Sequence, residues 1–231
     1  MEPRGYFITG TDTSVGKTRC AVALCHAMAA RGLRVAAMKP IASGCMQSVQ
    51  GLRNDDAQAL LAAMNVRADY SDVNPYAFEP AIAPHIAAAQ CATAVDYSVL
   101  DRSFERLRLQ SDVVIVEGAG GWLTPLDQGR SFADIAQRWQ LDIIMVVGLR
   151  LGCLNHALLT RDGIEAKGLR LIGWVCNRID PELPFAEQNL ETLRERLAAP
   201  CLADLPFAPA EPAQKCAQRF YLDLLPAAGA V

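Results

Sequence analysis

Residues 6–18 read YFITGTDTSVGKT, and no other stretch limits the fold of this chain so strongly. A short apolar run empties into Gly10, a Thr/Asp/Ser-rich turn follows, and Gly16-Lys17-Thr18 opens a helix-length segment, KTRCAVALCHAMAARG (17–32), closed by Gly32. The usual phosphate loop is G-x-x-x-x-G-K-[ST] between a buried strand and a helix. Here Gly10 lies six residues before Gly16 instead of five, so Thr11 holds the first glycine's nominal place and the loop is a lengthened variant. In this setting the backbone N–H groups of residues 13–18 converge on β- and γ-phosphates, helped by the positive end of the helix. Lys17 supplies a point charge and the Thr18 hydroxyl a ligand for Mg²⁺. A plain glycine turn with a surface lysine fits less well, because strand, loop and helix are all in register.

The rest of the chain alternates in the same way. Apolar runs at 34–41, 112–121, 141–148 and 169–177, with a shorter one at 200–207, read as strands. Between them, 54–65, 96–110, 131–140, 155–168 and 184–198 read as helices. In the 96–110 segment Val99, Leu100, Phe104, Leu107 and Leu109 are spaced for one face, and Ser131 suits a helix cap. Strands separated by helix-length segments imply parallel βαβ units, so the expected fold is α/β: a P-loop NTPase-like, doubly wound, mainly parallel sheet flanked by helices. No repeat or linker divides it, and residues 1–231 read as a single domain whose tail, 212–231, offers little beyond a short helix. Residues 70–95 read as an excursion on the substrate side. Hydrophobic residues at 52% supply a full core, while a net charge of −3 with 22 scattered Lys and Arg argues against a nucleic-acid surface. The eight cysteines form no Cys-x-x-Cys pair, so they read as reduced thiols of a cytoplasmic protein rather than a zinc or dithiol centre. The apolar start is too short for a signal peptide and nothing approaches a membrane span.

A P-loop needs a carboxylate at another strand end to complete a magnesium shell. VVIVEG offers Glu117 at the carboxyl end of a buried strand, where ligands of open α/β sheets collect. Asp55 and Asp56 read either as a second acidic ligand or as capping acids of a helix start. Lys39, before Pro40, reads either as an anion holder facing the γ-phosphate or as a snorkelling surface lysine. Ser43 and Gly44 either contact the same ligand or shape the turn. His26, His85 and His156 read as packing or capping residues.

The segments YFITGTDTSVGKT, KPIASG, GLRNDDA, VNPYAF, PHIAAAQ, VEGAGGWLTPL, LGCLNHALLT and GWVCN occur in the order seen in the dethiobiotin synthetase family, and the chain resembles that family to about residue 207. The resemblance implies an ATP- and Mg²⁺-dependent cyclo-ligase forming C–N bonds in biotin biosynthesis. Its substrates would be 7,8-diaminononanoate and CO₂ or bicarbonate, joined through a carbamic–phosphoric anhydride that closes a ureido ring. It implies phosphate contacts from Thr13 and Lys17, with Ser14, Val15, Gly16, Thr18 and Arg19 around the nucleotide and Gly118, Ala119 and Gly120 beside it. Thr18, Asp56 and Glu117 would hold Mg²⁺. Lys39 would be the active-site lysine between carbamate and γ-phosphate, and Ser43 a substrate contact. The adenine side would use Asn177, Arg178, Leu205, Pro206, Phe207 and Glu211. The family is homodimeric, and Gly152, Cys153, Leu154 and Asn155 match the helix start that meets the substrate carboxylate across the interface.

Departures from the family pattern begin after Asn177, where NRID replaces the acidic residue often found in relatives. Asn-Arg-x-Asp also echoes a guanine signature, which makes Asp180 a route to GTP. Residues 181–200 match only loosely. P-loop ATPases that position chromosomes or septa share the core without synthesising anything, but the second lysine of their loop is absent from TDTS, and the tail has no basic cluster. A cobyrinic-acid amidase-like ligase would need a glutaminase domain for which 231 residues leave no room.

Overall fold

The computed structural model describes residues 4–127 and 129–226. The readings of the first three residues and of 227–231 in the tail lie outside the described residues. β1 (Arg4–Gly10) runs through the glycine loop into α1 (Lys17–Ala29), and β2 (Val35–Met38) follows. Short elements come next: β3 (Ile41–Ala42), β4 (Met46–Ser48), β5 (Gly51–Arg53), α2 (Asp55–Ala63), α3 (Tyr70–Val73), β6 (Tyr76–Ala77) and α4 (Pro84–Gln90). Regular alternation resumes with α5 (Tyr97–Leu109), β7 (Val113–Glu117), α6 (Phe132–Arg138), β8 (Asp142–Leu149) and α7 (Cys153–Ala166). β9 (Leu171–Arg178), α8 (Ala186–Arg196), β10 (Cys201–Leu205) and α9 (Ala213–Cys216) complete the order.

Six strands form one sheet in the order β10-β9-β8-β1-β7-β2, and every neighbouring pair is parallel. The chain leaves β1 toward β2 on one side and later fills β8, β9 and β10 on the other. A crevice therefore opens at the carboxyl end of β1, where strand order switches direction.

The period of two along each strand decides which residues face α1. Tyr6 and Ile8 of β1, Val113 and Ile115 of β7, and Val175 of β9 share a core with Leu24 of α1. Phe7, Val114 and Val116 pack instead with Phe104 and Phe132 of α5 and α6, while Trp174 and Cys176 pack with Leu190 and Leu193 of α8. Continuing that alternation puts Glu117 and Asn177 on the face of α1, and Arg178 on the face of α8.

Element boundaries shift for local reasons. α1 stops at Ala29, and the turn closes at Gly32, whose φ of +82° suits glycine and whose N–H donates to the Ala29 carbonyl at 2.9 Å. β2 ends at Met38, before the donor-less Pro40, and the apolar run beyond it pairs separately as β3 with β6. α7 begins at Cys153, two residues earlier than the sequence pattern suggests, behind Gly152 at φ +91°. On α5, Leu109 is 72% exposed, because two residues past Leu107 is a 200° rotation; Ser103 fills the buried stripe with Leu100, Phe104 and Leu107. Among the described residues, no helix is long and apolar enough to cross a membrane.

Candidate active site

The glycine loop turns through Ser14 and Gly16, at φ 59° and 88°, and then enters α1. A side chain at Gly16 would be strained by that φ, and its Cβ would stand 2.2 Å from Asn177 Nδ2. Lys17 folds back over the loop, donating from Nζ to the Asp12 carbonyl at 2.9 Å. It is buried, and burial first and the neighbouring Lys39 second lower its pKa to about 8. Asp12 also accepts from the Thr13 N–H at 2.7 Å and pairs with Arg150 at the end of β8.

Across the crevice lies a cluster of opposite charges. Lys39 Nζ donates to Glu117 Oε1 at 2.6 Å, to Asp56 Oδ2 at 2.9 Å and to the Gly118 carbonyl at 3.3 Å. The Thr18 hydroxyl donates to the same Glu117 oxygen at 2.8 Å. Asn54 supports this arrangement from outside. Its side chain caps α2 by accepting the Ala57 N–H at 3.1 Å, which sets Asp56 in the helix's first turn, facing Lys39.

Burial alone would strip the charge from Lys39, but the carboxylates of Glu117 and Asp56 outweigh it and hold its pKa above the ordinary lysine value. Burial likewise works against the Asp56 carboxylate, and the Lys39 ammonium more than reverses that and lowers its pKa. Glu117 is fully buried, and its second oxygen, Oε2, has no hydrogen bond. A buried carboxylate oxygen without a partner is costly, and with the Thr18 hydroxyl and Asp56 nearby the oxygen donors suit a hard divalent cation.

A cleft of about 920 Å³ joins the two halves. It is lined by Thr13, Ser14, Gly16, Lys17 and Thr18 of the loop, and by Lys39, Ser43, Asp56, Glu117, Ala119 and Gly120 opposite. Ser43 Oγ is buried there without a hydrogen-bond partner. The 70–95 excursion reaches the cleft through Ala81–Pro84, and Thr124 and Pro125 close another wall. Thr124 Oγ1 accepts the Gly121 N–H at 2.9 Å, and a Cβ on Gly120 would lie 2.4 Å from it, which is why the chain needs small residues at this strand end.

Other expected residues gather elsewhere. Asn177 donates from Nδ2 to the Val15 carbonyl at 2.8 Å, and Arg19 turns away from the cleft toward Asn177, the Pro206 carbonyl and Glu211. The side chains of Val15 and Leu205 are core, leaving only their backbone for a ligand, and Phe207 is half exposed. Arg178 does not join this group. It lies on the α8 face, bonded to Asp204 at 2.8 and 2.9 Å and to Glu187 at 2.6 Å, so the alternation of β9 separates it from Asn177. Asp180 accepts the Glu182 N–H at 3.0 Å in the turn beyond β9. Gly152–Asn155 begin α7 outside the cleft, with no side chain capping that helix.

Sequence reasoning missed Thr124, Pro125 and the Asp12–Arg150 pair. A polar residue after the glycines of VEGAGGWLTPL hinted at the first, whereas Arg150 is 138 residues from Asp12 and carried no signal.

A family model described as an AAA domain matches residues 4–213. The chain is 45% identical over 222 residues to the ATP-dependent dethiobiotin synthetase BioD of Xanthomonas oryzae pv. oryzae, covering 96% of this chain and 99% of that protein. It is 49% identical over 223 residues to the protein of the same name from Pseudomonas paraeruginosa, covering 96% of each. Among solved structures it is similar to the MinD cell division protein of Aquifex aeolicus, with a TM-score of 0.57, 17% identity and 93% of each chain covered. It is also similar to the septum site-determining protein MinD complexed with Mg-ADP from Pyrococcus horikoshii, with a TM-score of 0.52 and 17% identity over 92% of this chain and 86% of that one. At such identity these two likenesses speak for the fold alone.

Proposed function

The chain belongs to the ATP-dependent dethiobiotin synthetases, and from that membership we propose that it carboxylates 7,8-diaminononanoate with CO₂ and closes the ureido ring at the expense of ATP. The observation that carries this reading is Lys39, a buried ammonium bridging Glu117 and Asp56 across a cleft from the glycine loop.

The chemistry accounts for that placement. A carbamate is anionic and a poor electrophile. Its oxygen attacks the γ-phosphorus of ATP, ADP leaves, and the carbonyl carbon now carries a phosphate leaving group. The second amine attacks that carbon, phosphate departs, and the amine's proton is lost as the cyclic urea forms. Every species before ring closure is an anion, so the protein acts by holding charges in place. The N–H groups of residues 13–18 and Lys17 hold the phosphates. Lys39 holds carbamate and γ-phosphate together, and Ser43, with its buried unpartnered hydroxyl, meets the substrate. Thr18, Asp56 and Glu117 would hold Mg²⁺, which neutralises phosphate charge; the unpaired Glu117 Oε2 supports that assignment.

The protein acts as a cytoplasmic homodimer, in which the uncapped start of α7, Gly152–Asn155, anchors the substrate carboxylate of the partner subunit's site. The partner-switch reading has only fold-level likeness in its favour.

ADP release with Mg-ATP and bicarbonate, with and without the diamine and with the product mass read alongside, tests the proposal. Diamine-dependent turnover yielding dethiobiotin is expected. Turnover indifferent to the diamine would remove the synthetase reading and leave the phosphate site standing.

A further inference from the structure

We propose that Arg19 is a positioning residue of the nucleotide site: it holds Asn177, the Pro206 carbonyl and Glu211 in one frame, and through that frame sets the preference for adenine over guanine. The inference rests on the nucleotide-site reading above.

The sheet order says where the base must go. Of the groups suited to the reacting end of the phosphate chain, Glu117 ends β7 and Lys39 follows β2, both on one side of β1, and Asp56 of α2 is bonded to Lys39. A nucleotide whose terminal phosphate faces them extends its other end toward β9 and β10. Asn177 is the penultimate residue of β9, and Pro206 follows β10.

Arg19, in the first turn of α1, is the residue that joins these pieces. One terminal nitrogen donates to Asn177 Oδ1 and to the Pro206 carbonyl, both at 3.4 Å. The other donates to Glu211 Oε2 and Cys216 Sγ, both at 3.3 Å. Each contact is long, so the guanidinium positions by the number of its contacts rather than by one strong bond. Its Nε is buried without a partner, so the two terminal nitrogens make all of these contacts.

Asn177 is 3% exposed and doubly anchored, with Nδ2 on the Val15 carbonyl and Oδ1 on Arg19. That fixes its amide in one of two orientations, leaving one N–H and one oxygen lone pair. Adenine presents a donor and an acceptor side by side, N6 and N7, and suits such an amide; guanine presents two acceptors, O6 and N7, and does not.

Equilibrium binding of fluorescent Mg-ATP and Mg-GTP analogues to the full chain tests this without relying on turnover. The parent is expected to prefer ATP by about tenfold or more, and Arg19→Ala to weaken ATP by about tenfold while leaving GTP nearly unchanged. Arg19→Lys should restore part of the preference. Should Arg19→Ala melt before it can be assayed, Glu211→Gln keeps Arg19 while loosening its frame, and should shift the ratio the same way by less. Equal weakening of both nucleotides, an unchanged ratio in these variants, or a parent without preference would overturn the proposal. Absence of diamine turnover would remove the synthetase reading and leave this measurement intact.

Discussion

Two clusters in this molecule share a formula and differ in every physical respect. At the crevice, Lys39 bridges Glu117 and Asp56; on the α8 face, Arg178 bridges Asp204 and Glu187. The Arg178 cluster is saturated. Its guanidinium engages both Asp204 oxygens and a second carboxylate, and its three side chains keep between a quarter and three quarters of their surface. The Lys39 cluster is buried at Lys39 and Glu117 and leaves Glu117 Oε2 unpaired at the edge of a cleft. A cluster that only joins elements can satisfy itself; one that must receive a ligand keeps an unused valence.

Removing Lys39 should have the largest consequence. Lys39→Met is expected to lower kcat by about 10²–10³, the scale of losing a group that stabilises developing charge. It should also destabilise the fold by about 3–5 kcal/mol, because Glu117 is left buried without its cation. Adding Glu117→Gln to Lys39→Met should recover much of the melting temperature and none of the activity. Recovered activity would break the distinction between the two clusters. Arg178→Ala should do the reverse, lowering stability by about 1–2 kcal/mol with solvent screening part of the effect, and leaving the KM for ATP unchanged. A tenfold rise in that KM would return Arg178 to the nucleotide site.

Acid–base behaviour sharpens the same contrast. Hydrogen bonds to Asp204 and Glu187 raise the pKa of Arg178, so its charge is fixed at every working pH. Lys17, lowered to about 8 chiefly by burial, is partly neutral in the free protein under mildly alkaline conditions. A bound phosphate favours the charged form and raises that pKa. Nucleotide binding therefore takes up a proton above pH 8, and affinity for Mg-ATP should fall there by as much as about tenfold per pH unit. Titration of binding between pH 7 and 9.5 checks this; a flat profile would mean that Lys17 keeps its charge without phosphate.

Much of what lines the candidate cleft was legible in sequence because those residues sit where strands end. The glycine loop, Glu117 and Asn177 each follow an apolar run, and such runs mark the crevice of a parallel sheet. Lys39 was ambiguous for a physical reason: its partners lie 17 and 78 residues away, so nothing local distinguishes a bridged ammonium from a snorkelling one. Arg178, which the resemblance puts on the nucleotide side, points toward α8 and away from the side of Asn177, because consecutive strand residues face opposite ways. Leu109 leaves its expected face for a related reason in a helix, where a residue two past a buried one turns outward.

The smallest expected effect concerns the Asp12–Arg150 pair, which ties the glycine loop to the segment entering α7. Both side chains keep about two fifths of their surface, so the pair adds no more than about 1 kcal/mol to stability. Asp12 does not depend on it alone, since the Thr13 N–H is the larger cause of its lowered pKa and Arg150 a lesser one. Arg150→Ala should therefore leave the melting temperature within a degree or two and raise the KM for ATP by about threefold at most. If the KM for the diamine rises instead, while ATP binding stays constant, the start of α7 belongs to the substrate's half of the site. The pair would then link the loop that holds phosphate to the helix that meets the carboxylate, a third kind of charge contact, neither saturated like that of Arg178 nor buried like that of Lys39.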